Sequence, residues 1–257
     1  MALEELEFKH GTINEGLIAV ASGKGGVGKS TITANLAAAL DQAGKEVGII
    51  DADVRGFSIP RILGLQEAPE QIEEKELKPP VVNGIKVMSM GALMPEEEAV
   101  IWRAPLLGNT LKQFIEDVHW GELDYLLFDL PPGTGDMPMN VMQLIPGAEM
   151  IVTTTPQVTA TKVAGRIGQL AQELDSEIVG VIENMSYYEC PDCGNKQYIF
   201  GSGGGQQLAD KLDTNLLAEL PLVPKVRVSS DQGKAFVLEE PESLIAEQFT
   251  SVAESLL

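Results

Sequence analysis

Two short stretches hold residue types whose spacing does chemistry. The first, Gly23-Lys-Gly-Gly-Val-Gly-Lys-Ser30, fits Gly-x-x-x-x-Gly-Lys-[Ser/Thr]. Glycines at 23, 25, 26 and 28, with Val27 between the last two, let backbone N–H groups turn toward phosphate oxygens without Cβ clashes. Lys29 is placed to reach the β- and γ-phosphates of a nucleotide, the Ser30 hydroxyl to bind Mg²⁺, and Thr31 to contact the α-phosphate. Lys24 is a second cation inside the loop; a solvated lysine is the plain alternative. Asp129 ends the apolar run 125–128 and is the expected Mg²⁺-shell carboxylate. Gly133 and Gly135, just beyond it, could sense the γ-phosphate and move when it leaves. Asp51 and Asp53 end an earlier run. Residues two apart on an extended chain face the same way, so we assign Asp53 to the attacking water and Asp51 to the metal surroundings. The competing reading is that one of them caps the next segment.

The second stretch is Cys190-Pro-Asp-Cys193. A Cys-x-x-Cys pair supplies two corners of a tetrahedral Zn²⁺ or iron–sulfur site. Four ligands are the norm, the chain has no third cysteine, and its two histidines, His10 and His119, stand far off in sequence. The simplest completion is a second copy of the chain, with two pairs meeting at a two-fold axis. A structural zinc knuckle, a redox pair and two unligated core cysteines are the rivals.

These residues need a frame. Apolar β-rich runs recur at 17–21, 47–50, 85–90, 125–128, 150–154, 178–182 and 216–220. Helix-length stretches at 31–43, 106–118, 158–174 and 206–211 lie between most of them. Near-continuous apolar strands alternating with helices predict an α/β fold: a mainly parallel sheet with helices on both faces. Ligands then sit beyond the carboxyl ends of the strands, where the phosphate loop, Asp51, Asp53 and Asp129 all fall. We read residues 1–16 as a polar tail and 17–257 as a single phosphate-loop ATPase domain, with the cysteine pair in an insertion at about 185–205. Residues 66–82 read as an acidic surface excursion, 241–257 as a final helix, and the glycines at 201–205 as either a hinge or a helix entry.

Composition narrows the classes. With 44 % hydrophobic residues the chain can bury a full core. A net charge of −20 repels nucleic acid and anionic lipid at long range, although solubility or habitat explains it as well. There is no apolar run of about 18 residues to span a membrane and no secretory pattern at the start, so a cytoplasmic protein is expected. Two cysteines exclude a secreted disulfide framework.

The longer strings carry a resemblance. Lysine directly after the first glycine of the loop resembles the deviant phosphate loop of the MinD/ParA/nitrogenase-iron-protein class. Asp-Ala-Asp-Val-x-Gly-x-Ser-x-Pro (51–60), Asp-Leu-Pro-Pro-Gly-Thr-Gly-Asp (129–136), Thr-Thr-Pro-Gln (154–157), Glu-Asn-Met-Ser (183–186) and Cys-Pro-x-Cys-Gly with Ile-Phe-Gly-x-Gly-Gly-Gly resemble the Mrp/ApbC family of iron–sulfur cluster carrier ATPases across residues 17–240. The resemblance implies slow ATP hydrolysis and a homodimer in which Lys24 reaches the partner's nucleotide. It also implies a labile [4Fe–4S] cluster bridged by Cys190 and Cys193 of both copies, transfer to apo iron–sulfur client proteins, and Asn184 reading the adenine. Phe57 and Ala104 depart from the family's proline and glycine and put loop geometry, not phosphate contact, in question. Relatives with an extra N-terminal domain would dock clients there; with 16 residues before its first strand, this sequence is expected to dock them elsewhere.

Other classes fit less well. A MinD- or ParA-like organiser needs a basic amphipathic C-terminal helix or a DNA-binding patch, and residues 243–257 hold no Lys or Arg. Neither a membrane nor a nucleic-acid partner is therefore expected. An electron-transfer ATPase like the nitrogenase iron protein takes its cluster cysteines from well-separated positions. The alternative that survives is a zinc-stapled MinD/ParA-like regulatory ATPase, since thiolate pairs bind Zn²⁺ readily.

Overall fold

The computed structural model describes residues 7–53, 56–93, 104–174 and 176–257. It runs β1 (Gly11–Ser22), α1 (Lys29–Gln42), β2 (Val47–Asp51), α2 (Ile59–Leu63), β3 (Glu70–Gln71), β4 (Leu77–Lys78), β5 (Val81–Val82) and β6 (Ile85–Ser89). Then follow α3 (Ala104–Glu116), β7 (Gly121–Asp129), α4 (Asp136–Leu144), β8 (Glu149–Thr154), α5 (Val158–Glu173) and β9 (Ile178–Asn184). The last third holds β10 (Tyr188–Glu189), β11 (Lys196–Gln197), α6 (Gly204–Leu212), β12 (Asn215–Leu220), α7 (Pro224–Asp231), α8 (Phe236–Glu239) and α9 (Leu244–Glu254).

Eight strands form one sheet in the order β12-β9-β8-β1-β7-β2-β6-β5. Every pairing is parallel except the short β5 against β6. All seven apolar runs fall on its parallel strands, with only Met90 running past the end of β6, as expected where helices cover both faces. Alternation along β1 divides the core. Ile18 and Val20 pack with Ile32, Leu36 and Leu40 of α1 and with Phe249 of α9. Ala19 and Ala21 face the opposite layer, with Phe114 of α3, Ile167 of α5 and Leu208 of α6.

Residues 1–16 are not all tail. β1 starts at Gly11, and Gly11, Thr12 and Ile13 pair with Gly121, Glu122 and Leu123 before the register shifts and resumes at Gly16. The polar Asn14 and Glu15 fall in that irregularity, which hides the extension from any apolar pattern. A Cβ on Gly11 would stand 2.7 Å from Gly121 O, so the close strand approach requires glycine.

Four helices were not read from the sequence: α2, α4, α7, opened by Pro224 in its first turn, and α8. α8 is fastened to α1 where Val237 N–H donates to Asn35 Oδ1 at 3.0 Å. The 201–205 glycines resolve as a helix entry: Gly203 caps α6 at φ 70°, and a Cβ on Gly204 would stand 2.6 Å from Pro156 O. Phe57, the departure from the family pattern, is 47 % exposed, with its ring against the backbone of Gly91. Ala104 opens α3. Val54 and Arg55 of the 51–60 string, and Trp102 and Arg103 just before Ala104, lie outside the described residues.

Candidate functional site

The carboxyl ends of β1, β2, β7 and β9 converge on the loop between β1 and α1. Gly26 and Gly28 hold positive φ of 82° and 91°, the left-handed region that favours glycine. Gly23 is needed for a different reason: a Cβ there would lie 2.5 Å from Ala164 N, on the backbone of α5. Lys29 and Ser30 open α1, whose positive end suits an anion.

One buried carboxylate organises this end. Asp129 accepts an ion pair from Lys29 Nζ at 2.7 Å, a hydrogen bond from Ser30 Oγ at 2.6 Å and another from Thr33 Oγ1 at 2.9 Å. Lys29 and Asp129 are both buried. The sequence reading placed Lys29, Ser30 and Asp129 here but missed Thr33. Its signal is the spacing of four from Lys29 along α1, whose carbonyl it also bonds at 3.1 Å.

Asp51 stands beside Asp129 in the β2–β7 register. It is fully buried, and its carboxylate accepts from the N–H groups of Asp53, Ser58 and Ile59 and from Ser89 Oγ at 3.1–3.3 Å. Burial first, then the Asp129 charge, pushes its pKa up to about 7. The contacts of Asp51 in this structure are therefore those of a cap on the turn into α2. Asp53 is buried at the wall of a cavity of about 450 Å³. Lys24, Gly25, Gly26, Gly28, Lys29, Ser30 and Thr31 line the same cavity, and Pro132 of the 129–136 string closes one side. Lys24 is exposed there.

Asn184 ends β9. Its Nδ2 donates to Val27 O at 2.8 Å, and its Oδ1 accepts from Met185 N–H at 3.0 Å. The side chain thus ties β9 to the phosphate loop. It also lines a second, mainly apolar cavity of about 220 Å³ walled by Leu220, Pro221, Val223, Val226 and Phe249. Gly28 and Thr31 line both cavities, so a polyphosphate and a flat base have adjoining places. The walls supplied by α7 and α9 were not foreseen, because nothing in residues 220–231 has a nucleotide pattern.

Cys190 and Cys193 lie on the turn between β10 and β11, a two-stranded ribbon pairing Tyr188 with Gln197 and Glu189 with Lys196. Cys190 N–H donates to Asn195 O at 3.0 Å and Gly194 N–H to Cys190 O at 2.8 Å. Both thiols are free, Cys193 exposed and Cys190 partly so. Hydrogen bonds from the backbone of Asp192 and Cys193, with a smaller contribution from the Cys193 thiol, hold the Cys190 pKa below the usual thiol range. That favours the thiolate that binds metals. Among the described residues, no His, Asp or Glu ligand atom completes a set of three with these cysteines.

The excursion closes on Glu183, which the sequence reading treated only as part of a string. Its buried carboxylate accepts from Ser186 Oγ at 2.6 Å on one side of residues 187–204 and from Gly205 N–H on the other.

Comparison with known proteins agrees with this geometry. A family model described as the ParA-type NUBPL iron-transfer P-loop NTPase matches residues 14–257. The iron–sulfur cluster carrier protein of Mycobacterium tuberculosis is 47 % identical over 244 residues, covering 93 % of this chain and 64 % of its own length. The chain thus spans less than two thirds of that relative. The iron–sulfur cluster carrier protein of Pyrococcus horikoshii is 44 % identical, with 93 % and 85 % covered. Among solved structures, the Archaeoglobus fulgidus nucleotide-binding protein in complex with ADP, in which cobalt was found, superposes with a TM-score of 0.79. It has 40 % identity and covers 91 % of this chain and 92 % of its own. MinD of Pyrococcus horikoshii with Mg-ADP (TM-score 0.71, 24 % identity, 94 % and 95 % covered) shares the fold.

Proposed function

The chain belongs to the NUBPL iron-transfer P-loop NTPase family, and from that premise we propose that it is an ATP-dependent carrier that binds a [4Fe–4S] cluster and passes it to apoproteins. The observation that carries this reading is the end of β9. Its last two residues serve two sites at once: Glu183 bonds the base of the cysteine excursion, and Asn184 bonds the phosphate loop. A movement of the loop on nucleotide binding reaches the cysteines through one hydrogen bond, Asn184 to Val27 O, and six residues of chain.

The nucleotide is ATP, with its phosphates on the N–H groups of residues 23–30 and its base in the cavity beside Asn184. Ser30 and Asp129 fit Mg²⁺: a hydroxyl and a carboxylate, both hard oxygen donors, already meet 2.6 Å apart. The ion would neutralise charge on the β- and γ-phosphates there. Lys29 now sits on Asp129, and an arriving polyphosphate offers it a stronger anion. Asp53 at the cavity wall orients the attacking water. Lys24, exposed at the mouth, serves as a cation delivered to a second copy's nucleotide.

The cluster is cargo. Two thiolates per chain leave a four-ligand site half made, so the carrier works as a homodimer with Cys190 and Cys193 contributed by both copies. A site divided between subunits opens when they part, which suits release to a client.

Anaerobic reconstitution with iron and sulfide tests the reading. It should give about four irons per dimer, lost in Cys193→Ala, and transfer to an apo-acceptor that ATP accelerates. Tight zinc and no cluster would instead favour a zinc-stapled ATPase, and transfer at equal speed without ATP would remove the coupling.

A further inference from the structure

The chain has two histidines, and the fold brings both to one carboxylate. His119 Nε2 lies 2.7 Å from Glu76 Oε2, and His10 Nε2 lies 3.5 Å from Glu76 Oε1. The imidazoles stack, with centroids 4.2 Å apart and planes 11° from parallel. One ligand atom from each of the three residues lies within 4.8 Å of the other two, the one such set among the described residues.

The backbone fixes this meeting. His10 directly precedes β1 and His119 lies two residues before β7, and those strands pair at Gly11 and Gly121. Gly121 N–H donates to His10 O at 3.0 Å. His119 N–H donates to Leu77 O at 2.8 Å, and Leu77 N–H to Asp117 O at 3.0 Å, which binds the segment carrying Glu76 to the same place. The charged neighbours are paired with each other: Lys9 Nζ lies 2.7 Å from Glu116 and 3.8 Å from Asp117. His10, His119 and Glu76 are each about one third exposed or a little less, so an ion can enter.

We propose that His10, Glu76 and His119 form a metal site for a divalent transition ion of the zinc and cobalt class. Two imidazoles with one carboxylate suit Zn²⁺, Co²⁺ or Ni²⁺ rather than Mg²⁺ or Ca²⁺. Three protein ligands leave an open position for water. Ligand atoms about 2.0–2.2 Å from such an ion stand about 3.0–3.5 Å from one another; the two histidine–carboxylate spacings are 2.7 and 3.5 Å, and because an imidazole's lone pair lies in its ring plane, one of the stacked rings must turn for both to face one ion. The site lies at the amino ends of β1 and β7, away from the phosphate loop at their carboxyl ends. An ion there would pin the β3–β4 hairpin to the sheet. It is independent of the cysteines and of the proposed carrier activity.

The test uses the full chain with Cys190→Ser and Cys193→Ser, so that thiols cannot compete, after chelation and without nucleotide. Co²⁺ is titrated and followed by its visible absorption; Zn²⁺ is followed by competition with a chromophoric chelator. One ion per chain is expected, with a nitrogen–oxygen ligand spectrum. His10→Ala, His119→Ala and Glu76→Gln should each weaken binding at least tenfold and abolish the metal-induced rise in melting temperature. Glu76→Gln keeps the side chain's shape and one acceptor oxygen at a partly exposed position, so it carries the test if a histidine variant folds poorly. Absence of stoichiometric binding at micromolar metal, or binding unchanged in all three variants, would overturn the proposal and leave a hydrogen-bonded staple.

Discussion

Replacing Glu183 by Gln isolates the link between the sheet and the cysteine excursion. The residue is 1 % exposed, and its two oxygens each hold a donor, Ser186 Oγ at 2.6 Å and Gly205 N–H. Glutamine keeps the shape but presents one oxygen and one NH₂, so one of the two donors faces another donor. A hydrogen bond to a charged group contributes about 1.5–3 kcal/mol, and a buried donor left unpaired costs about as much. The expected loss is therefore about 2–3 kcal/mol, and for a chain of this size a melting temperature about 4–10 °C lower. Differential scanning calorimetry gives the first number. Hydrogen exchange gives the place: protection should fall at residues 187–204 while β1 and β7 exchange as before. A melting temperature within about 1 °C of the parent, with unchanged exchange in the excursion, would refute the idea that this carboxylate clips it.

Three further outcomes are expected. Lys24→Ala should slow ATP hydrolysis by about 10³-fold, by analogy with a cation supplied in trans, while melting stays unchanged because the side chain is exposed; a rate within threefold of the parent would remove it from catalysis. Asn184→Ala leaves Val27 O without its 2.8 Å donor, and at about 1 kcal/mol per hydrogen bond the Kd for ADP by calorimetry should rise about fivefold. Asp51 is held up to about 7 by burial and by Asp129, above its unfolded value of about 3.9. It binds its proton more tightly when folded, so nucleotide-free stability in urea should fall as pH rises from about 4 to 7 and then level off. Asp51→Asn should flatten that slope.

The parts of this fold that a sequence discloses are those whose cause is local. A strand covered on both faces must be apolar throughout, and the runs at 47–50, 125–128 and 150–154 are buried along their whole length for that reason, whereas the edge strand β12 keeps Glu219 exposed. The phosphate loop is legible because its glycines answer to contacts within one turn, and Asp129 because it ends an apolar run. What stayed hidden depends on register. Gly11 to Ile13 are too polar to read as strand, yet their pairing with residues 121–123 extends β1. The base contact of Asn184 is implied by the family resemblance alone, and its bond to Val27 O appears only once β9 is placed beside the loop. The histidines make the point most sharply. Distance in sequence argued against joining them to any site, and the pairing of Gly11 with Gly121 cancels that distance in one step. The cysteines stand at the opposite limit. Their spacing of three is visible at once, but among the described residues the fold brings no third ligand to them, and on the proposed reading a second copy supplies the rest.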